Sequence, residues 1–167
     1  VLARLSQLGT EVTDALEKYE IDRATRPFMD FVDDLSTWYL RRSRERVKSD
    51  GPEKEEALGT LRYVLLELSK LMAPFTPFVA EEVYQQVIGG SVLGIVSVHL
   101  ESWPDLNALR STLYARVLDN MRMTREVVSQ ALELREKAGK KVRQPLAMLK
   151  IKDQGLKIPS EYLELVR

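Results

Sequence analysis

The stretch Asp34-Leu35-Ser36-Thr37-Trp38-Tyr39-Leu40-Arg41-Arg42-Ser43-Arg44-Glu45-Arg46 places an aromatic pair on a helix and follows it within one turn by a cluster of arginines. Phe28, Phe31, Val32, Leu35, Trp38 and Tyr39 share one stripe, at the spacing of threes and fours that a helical face requires. The spacing predicts a helix from about Ile21 to Lys48, apolar at one end and strongly basic at the other. Its apolar end packs into a bundle; its guanidinium groups, always charged and planar, suit phosphate oxygens.

The same periodicity extends to both sides. Leu5, Leu8, Val12, Leu16 and Tyr19 predict an amphipathic helix over about the first twenty residues. Ser49-Asp50-Gly51-Pro52 closes the second helix, with Gly51 expected in a left-handed turn and Pro52 at the first position of the next helix. Glu53, Glu55 and Glu56 then sit where a helix N-terminus favours carboxylates. Leu61, Val64, Leu65, Leu68, Leu71 and Met72 mark a third helix that Pro74 ends. Thr76 and Pro77 read as N-cap and first residue of a fourth, with Val79, Val83, Tyr84 and Val87 as its apolar face and Gly89-Gly90 as its stop.

Residues 89–110 read as a loop with a short extended piece at Val96–Leu100. A fifth helix, about Leu106 to Lys137, carries Leu113, Val117, Met121, Val128 and Leu132, and Gly139 breaks it. Leu146–Lys152 suits a strand, Asp153-Gln154-Gly155 a turn, and Pro159-Ser160-Glu161 the start of another helix. The expected fold class is therefore all-α, a helical bundle over residues 1–138, followed by a junction segment over 139–167 with a small, truncated α+β character.

Composition narrows the function. The 167 residues contain no cysteine, which excludes disulfides and thiolate metal sites and fits a cytosolic origin. There is no apolar run approaching the roughly 18 residues of a membrane span, and no signal peptide. The chain starts at Val1 without methionine and reads as an excised piece. No glycine-rich phosphate loop, nucleophile elbow or Cys/His cluster is present, and His99 is the only histidine, best read as structural. Asp33-Asp34 and Glu81-Glu82 read as helix-surface neighbours rather than an acid–base pair. By itself the chain is expected to catalyse nothing and to hold no metal.

Twenty-five basic residues balance 25 acidic ones, which argues against an indiscriminate nucleic-acid binder. The charge is nevertheless segregated, as an electrostatic footprint requires. Residues 38–48 carry Arg41, Arg42, Arg44, Arg46 and Lys48 against Glu45, and residues 135–143 carry Arg135, Lys137, Lys140, Lys141 and Arg143 against Glu136. Arg41, Arg44 and Lys48 share a helical face that is either a solvated basic surface or a phosphate contact. Arg42 lies nearer the Trp38 stripe and could serve RNA or a neighbouring domain. In the second segment, Ala138-Gly139-Lys140-Lys141-Val142-Arg143-Gln144-Pro145 continues the positive charge past the helix end. Dipole compensation accounts for Arg135 and Lys137 but not for the charges beyond Gly139. Cations on flexible backbone, with the Gln144 amide, suit phosphates and base edges.

Four segments, in order, carry a family resemblance. Phe31-Val32-Asp33-Asp34-Leu35-Ser36 through Arg44 resembles the anticodon-binding domain of isoleucyl-tRNA synthetases. Leu71-Met72-Ala73-Pro74-Phe75-Thr76-Pro77-Phe78 with Glu81-Glu82 is similar to a segment that the isoleucyl, valyl and leucyl enzymes share. Ser97-Val98-His99-Leu100-Glu101-Ser102-Trp103-Pro104 looks like a loop motif of the same group, and Arg135 with Lys141-Val142-Arg143-Gln144-Pro145-Leu146 resembles the junction into the C-terminal region.

The resemblance implies a class I synthetase bundle that grips the anticodon stem-loop of isoleucine tRNAs. The family's His-Ile-Gly-His-like and Lys-Met-Ser-Lys-Ser-like motifs do not occur here. ATP, with magnesium, would therefore serve an upstream catalytic domain of a cytoplasmic parent enzyme, and this piece would carry no cofactor and be monomeric. On that reading tRNA contacts fall to Arg41, Arg42, Arg44, Lys48, Arg135, Lys140, Lys141, Arg143 and Gln144. The alternatives are the same domain of a valyl or leucyl enzyme, or a helical scaffold that binds protein and not RNA.

Overall fold

Every expected helix forms, but one of them is divided. In the computed structural model, residues 1–89, 96–106, 112–146, 148 and 159–163 are described. Helix α1 spans Leu2–Glu17, α2 Ile21–Thr25, α3 Pro27–Asp33, α4 Arg41–Lys48, α5 Pro52–Met72, α6 Pro77–Ile88, α7 Thr112–Lys137 and α8 Ser160–Leu163. No strand occurs among the described residues, and the strand expected at 146–152 lies almost wholly outside them. No described helix is long and apolar enough to cross a membrane. The chain divides into two compact units, Val1–Arg110 and Ser111–Arg167. The expected boundary at residue 138 falls just after the end of α7.

The helix expected over 21–48 breaks at Pro27, which lacks the N–H an uninterrupted helix needs and becomes the first residue of α3. Asp34–Leu40 then forms a π-helical segment joining α3 to α4. Its cause is legible in the burial pattern. Phe31, Leu35 and Ser43 are buried, while Tyr39 and Val47 between and beyond them are half-buried, so the inner residues recur at steps of four. At 3.6 residues per turn each such step overshoots by about 40°, and an α-helix would carry Val47 almost to the face opposite Phe31. The wider i→i+5 turns of the π segment take up that drift and keep the stripe in line. Val32, expected on the stripe, is exposed, and Trp38 is half-buried.

Unit 1 is built on that stripe. Leu5, Leu8 and Val12 of α1, Phe28 and Phe31 of α3, Leu35, and Val64, Leu68 and Leu71 of α5 form one core, closed by Leu106. Complete burial of a side chain such as Phe31 contributes about 1.5–3 kcal/mol. Phe28 meets Phe75 edge to face at 5.5 Å between ring centres. Leu106 packs directly over Gly9, where a Cβ would stand only 2.6 Å from its Cδ1. Arg4 ties α1 to the π segment through a 2.8 Å ion pair with Asp34.

Several expected details change. Gly51 is fully extended rather than left-handed, whereas Pro52 does open α5 with Glu53 and Glu55 in its first turn. Thr76 precedes α6 without a side-chain cap, its hydroxyl donating instead to the Met72 carbonyl. The inner face of α6 is Ala80 and Tyr84, while Val79 is exposed. Val98–Leu100 is a 3-10 turn, not an extended piece. On α7, Thr124 and Val127 are buried and Leu132 is exposed, a stripe displaced from the expected one; the Leu113 side chain lies outside the described residues.

Tyr19 departs furthest from expectation: it is 89% exposed. Helix α1 ends at Glu17, and the Glu20 and Tyr19 amides donate to the Ala15 and Leu16 carbonyls in a Schellman cap. That cap puts Tyr19 in the left-handed region, φ 58°, where its Cβ is crowded and glycine is favoured. Tyr19→Gly is therefore expected to raise stability by about 0.5–1 kcal/mol, measured as a higher urea midpoint at unchanged slope. A lower midpoint would contradict the strain.

Candidate nucleic-acid interface

Helix α4 is shaped by what it buries. Ser43, 1% exposed, and half-buried Val47 lie four apart on its inner face, against α5. With those two inside, Arg41, Arg44 and Lys48 share an outer face at helical spacing. All three are exposed, and no ion pair engages them among the described residues. Arg42 is exposed too, on the side of α4 it shares with Arg46, and Arg46 donates a 2.9 Å hydrogen bond to the Ser43 hydroxyl. Trp38 stands one turn before Arg42 with part of its surface open.

Several other cations are paired within the chain. Arg23 pairs with Glu20, Arg26 with Asp22, Lys70 with Glu67 and Glu101, Arg122 with Asp119, and Lys137 with Glu133. Lys137 thus stabilises the end of its own helix, as expected for a cation near a C-terminus.

The basic segment of unit 2 begins where α7 stops. Gly139 sits at φ 65° as the left-handed residue of a second Schellman cap, with the Lys140 and Gly139 amides donating to the Arg135 and Glu136 carbonyls. The Gln144 amide then donates to the Lys141 carbonyl at 3.0 Å, closing a turn over 141–144. Lys140, Lys141, Arg143 and Gln144 are exposed along this hook, and no hydrogen bond or ion pair holds their side chains among the described residues. Arg135 differs: it is half-buried, and its Nη2 donates to the carbonyls of Lys141, Val142 and Gln144.

The Ser97–Pro104 motif has a structural role that its sequence did not disclose. Glu81 accepts from the Ser97 hydroxyl and the Val98 amide, Tyr84 donates to Glu101 at 2.7 Å, and Lys70 joins Glu101 to Glu67. Val98 drops beside Ala80 and Tyr84, and the Trp103 indole donates to Thr13 of α1. His99 is exposed, and among the described residues no group of His, Asp or Glu could hold a metal. The adjoining cleft, lined by Lys70, Pro74, His99 and Trp103 among others, is about 200 Å³. That is smaller than the ~300–1,000 Å³ of small-molecule sites.

These contacts shift their own ionisations. Hydrogen bonding from Gln85, then from Ser97 and the Val98 amide, lowers the Glu81 pKa against a burial effect. Hydrogen bonds from Tyr84 and Lys70 lower Glu101. Burial, then the hydrogen bond and charge of Glu101, push the Tyr84 phenol up to about 12. Burial disfavours charge on Lys70, but hydrogen bonds to Glu101 and Glu67 outweigh it and raise its pKa. Lowered carboxylates stabilise the fold above their ordinary value and lose that contribution as pH falls through the lowered one; raised groups stabilise below their ordinary value and lose it as pH rises. Unfolding free energy should therefore decline below about pH 4.5 and above about pH 10. Glu81→Gln should flatten the acid limb and Tyr84→Phe the alkaline one. Limbs unchanged by both substitutions would contradict the network.

The family model for the anticodon-binding domain of tRNA ligase matches residues 1–151. An isoleucine–tRNA ligase of Thermococcus kodakarensis is 38% identical over 92% of this chain and 14% of its own length. One of Dehalococcoides mccartyi is 42% identical over 100% of the chain and 16% of its own length, and one of Bacillus thuringiensis is 40% identical over 89% and 14%. The chain thus spans 14–16% of the length of these curated relatives.

Proposed function

The chain belongs to the family of tRNA-ligase anticodon-binding domains, and from that membership we propose that it grips the anticodon stem-loop of isoleucine tRNAs for a parent isoleucine–tRNA ligase. The relatives that span nearly the whole chain are named isoleucine–tRNA ligases, which favours isoleucine over the valyl and leucyl alternatives. The observation that carries the reading is the outer face of α4, where Arg41, Arg44 and Lys48 stand together without ion-pair partners among the described residues. Cations concentrated on one face suit a polyanionic partner such as tRNA.

The arginines neutralise backbone phosphates and set register, while unstacked anticodon bases are read by stacking and edge hydrogen bonds. Arg41, Arg42, Arg44 and Lys48 supply the contact from α4. Lys140, Lys141, Arg143 and Gln144 supply it from the hook after α7, and Arg135 belongs to that second surface through the backbone it holds. Trp38 and Tyr39 are the aromatics nearest the arginines in sequence. By role, residues 1–138 form the gripping bundle and 139–167 the junction beyond it. The result is positional: the acceptor end is held where a remote catalytic domain of the parent can use it.

ATP and magnesium belong to that other domain. No step of isoleucylation is assigned to this chain, which spans 14–16% of the length of its isoleucine–tRNA ligase relatives. The reading includes a monomer working in the cytoplasm, in keeping with a sequence free of cysteine.

The test is the salt dependence of binding to an isoleucine tRNA transcript. Affinity should fall steeply as salt rises, and each Arg→Ala substitution that removes a phosphate contact should flatten the logarithmic slope by about 0.7–0.9. Binding that is undetectable at low salt, or insensitive to salt, would exclude the tRNA role.

A further inference from the structure

We propose that Arg135 is a positioning residue: its guanidinium fixes the backbone of residues 141–144 so that Lys140, Lys141 and Arg143 are presented to the tRNA, and it touches no phosphate itself. The inference rests on the tRNA-binding reading and reassigns the role of one of its cations.

Three observations carry it. Arg135 Nη2 donates to the carbonyls of Lys141 at 2.5 Å, Val142 at 3.0 Å and Gln144 at 2.5 Å. That nitrogen has two hydrogens, so three acceptors leave it none for a ligand. Its Nε is buried and has no hydrogen-bond partner among the described residues, so that edge of the guanidinium faces the protein. The hook is also pinned at both ends. The Schellman cap at Gly139 fixes its start, and the Gln144-to-Lys141 bond closes its far turn.

The chemistry follows. Carbonyl oxygens repel phosphate, and Arg135 draws three of them onto one cation. What remains outermost is the row of Lys and Arg side chains, with Val142 73% exposed among them. A backbone ordered before the RNA arrives also avoids the ordering cost that a loose loop incurs on binding. A lysine ammonium carries three donors on one nitrogen but ends a side chain one bond shorter, so it is not expected to reach all three carbonyls.

The test uses this chain and an isoleucine tRNA transcript, with Arg135→Gln and Arg135→Lys made both in the native sequence and in a Lys140→Ala/Lys141→Ala/Arg143→Ala background. Arg135→Gln should speed hydrogen exchange at the Gln144 amide by about tenfold or more, with helical circular dichroism retained. Arg135→Lys should do the same, which guards against a glutamine variant that folds poorly. Either substitution should weaken tRNA binding about tenfold in the native sequence and not at all in the neutralised background. A Gln144 amide equally protected in both variants would overturn the clamp. So would a loss of affinity that persists in the neutralised background and flattens the salt slope by about 0.7–0.9, since that is the mark of a direct phosphate contact. If the unsubstituted chain binds no tRNA, the functional reading fails and presentation to RNA fails with it; the exchange measurement separates that outcome by reporting the clamp alone.

Discussion

The structure depends on one packing constraint: the inner stripe from Phe31 through Leu35, Tyr39, Ser43 and Val47, which recurs at steps of four. A straight α-helix cannot keep such a stripe on one face, and the π segment Asp34–Leu40 is the local answer. Because Ser43 is held against α5, the arginines on either side of it have to point away. Core packing and basic surface are therefore set by the same rotation. A change that straightened the segment would both spoil the core and turn Arg41, Arg44 and Lys48 toward α5.

A second constraint closes unit 1 from the other end. The loop before Leu106 is fastened by polar groups as well as by apolar contact: Glu81 on Ser97 and Val98, Tyr84 and Lys70 on Glu101, Trp103 on Thr13. Fixed in this way, the loop delivers Leu106 over Gly9, the α1 residue with no side chain to obstruct it. Most of the ionisable groups in this network are committed to structure, and the family motif that includes Ser97, Glu101 and Trp103 is accounted for by folding.

Much of this was legible in the residues. Leu5, Leu8 and Val12, and Val64, Leu68 and Leu71, are core positions that helical periodicity identifies directly, and Pro52, Pro77 and Gly89 mark helix ends as their backbone chemistry requires. Periodicity failed where the geometry leaves 3.6 residues per turn. Trp38 and Val32 fit an ideal α-helical stripe, yet Trp38, inside the π segment, is half-buried, and Val32, in α3 just before it, is exposed. Tyr19 fits the stripe of α1 by spacing and leaves it because a Schellman cap places it in the left-handed region, with no glycine to announce the cap. Steps of four between Phe31 and Ser43 were the available signal for the π segment. The fastening of Glu81 to Ser97 and the grip of Arg135 on the Gln144 carbonyl depend on where separate segments meet, which local pattern does not encode. For the site, residue type and charge segregation located both basic segments, while the difference in role between Arg135 and its neighbours needed coordinates.

The central claim is that the outward face of α4 lies along the anticodon stem and loop. A hydroxyl-radical footprint of the chain on an isoleucine tRNA transcript tests it most directly. The account predicts protection of the backbone in the anticodon stem and loop, reduced when Arg41 and Arg44 are both changed to alanine. Protection confined to the acceptor arm, or an anticodon footprint indifferent to both substitutions, would contradict it.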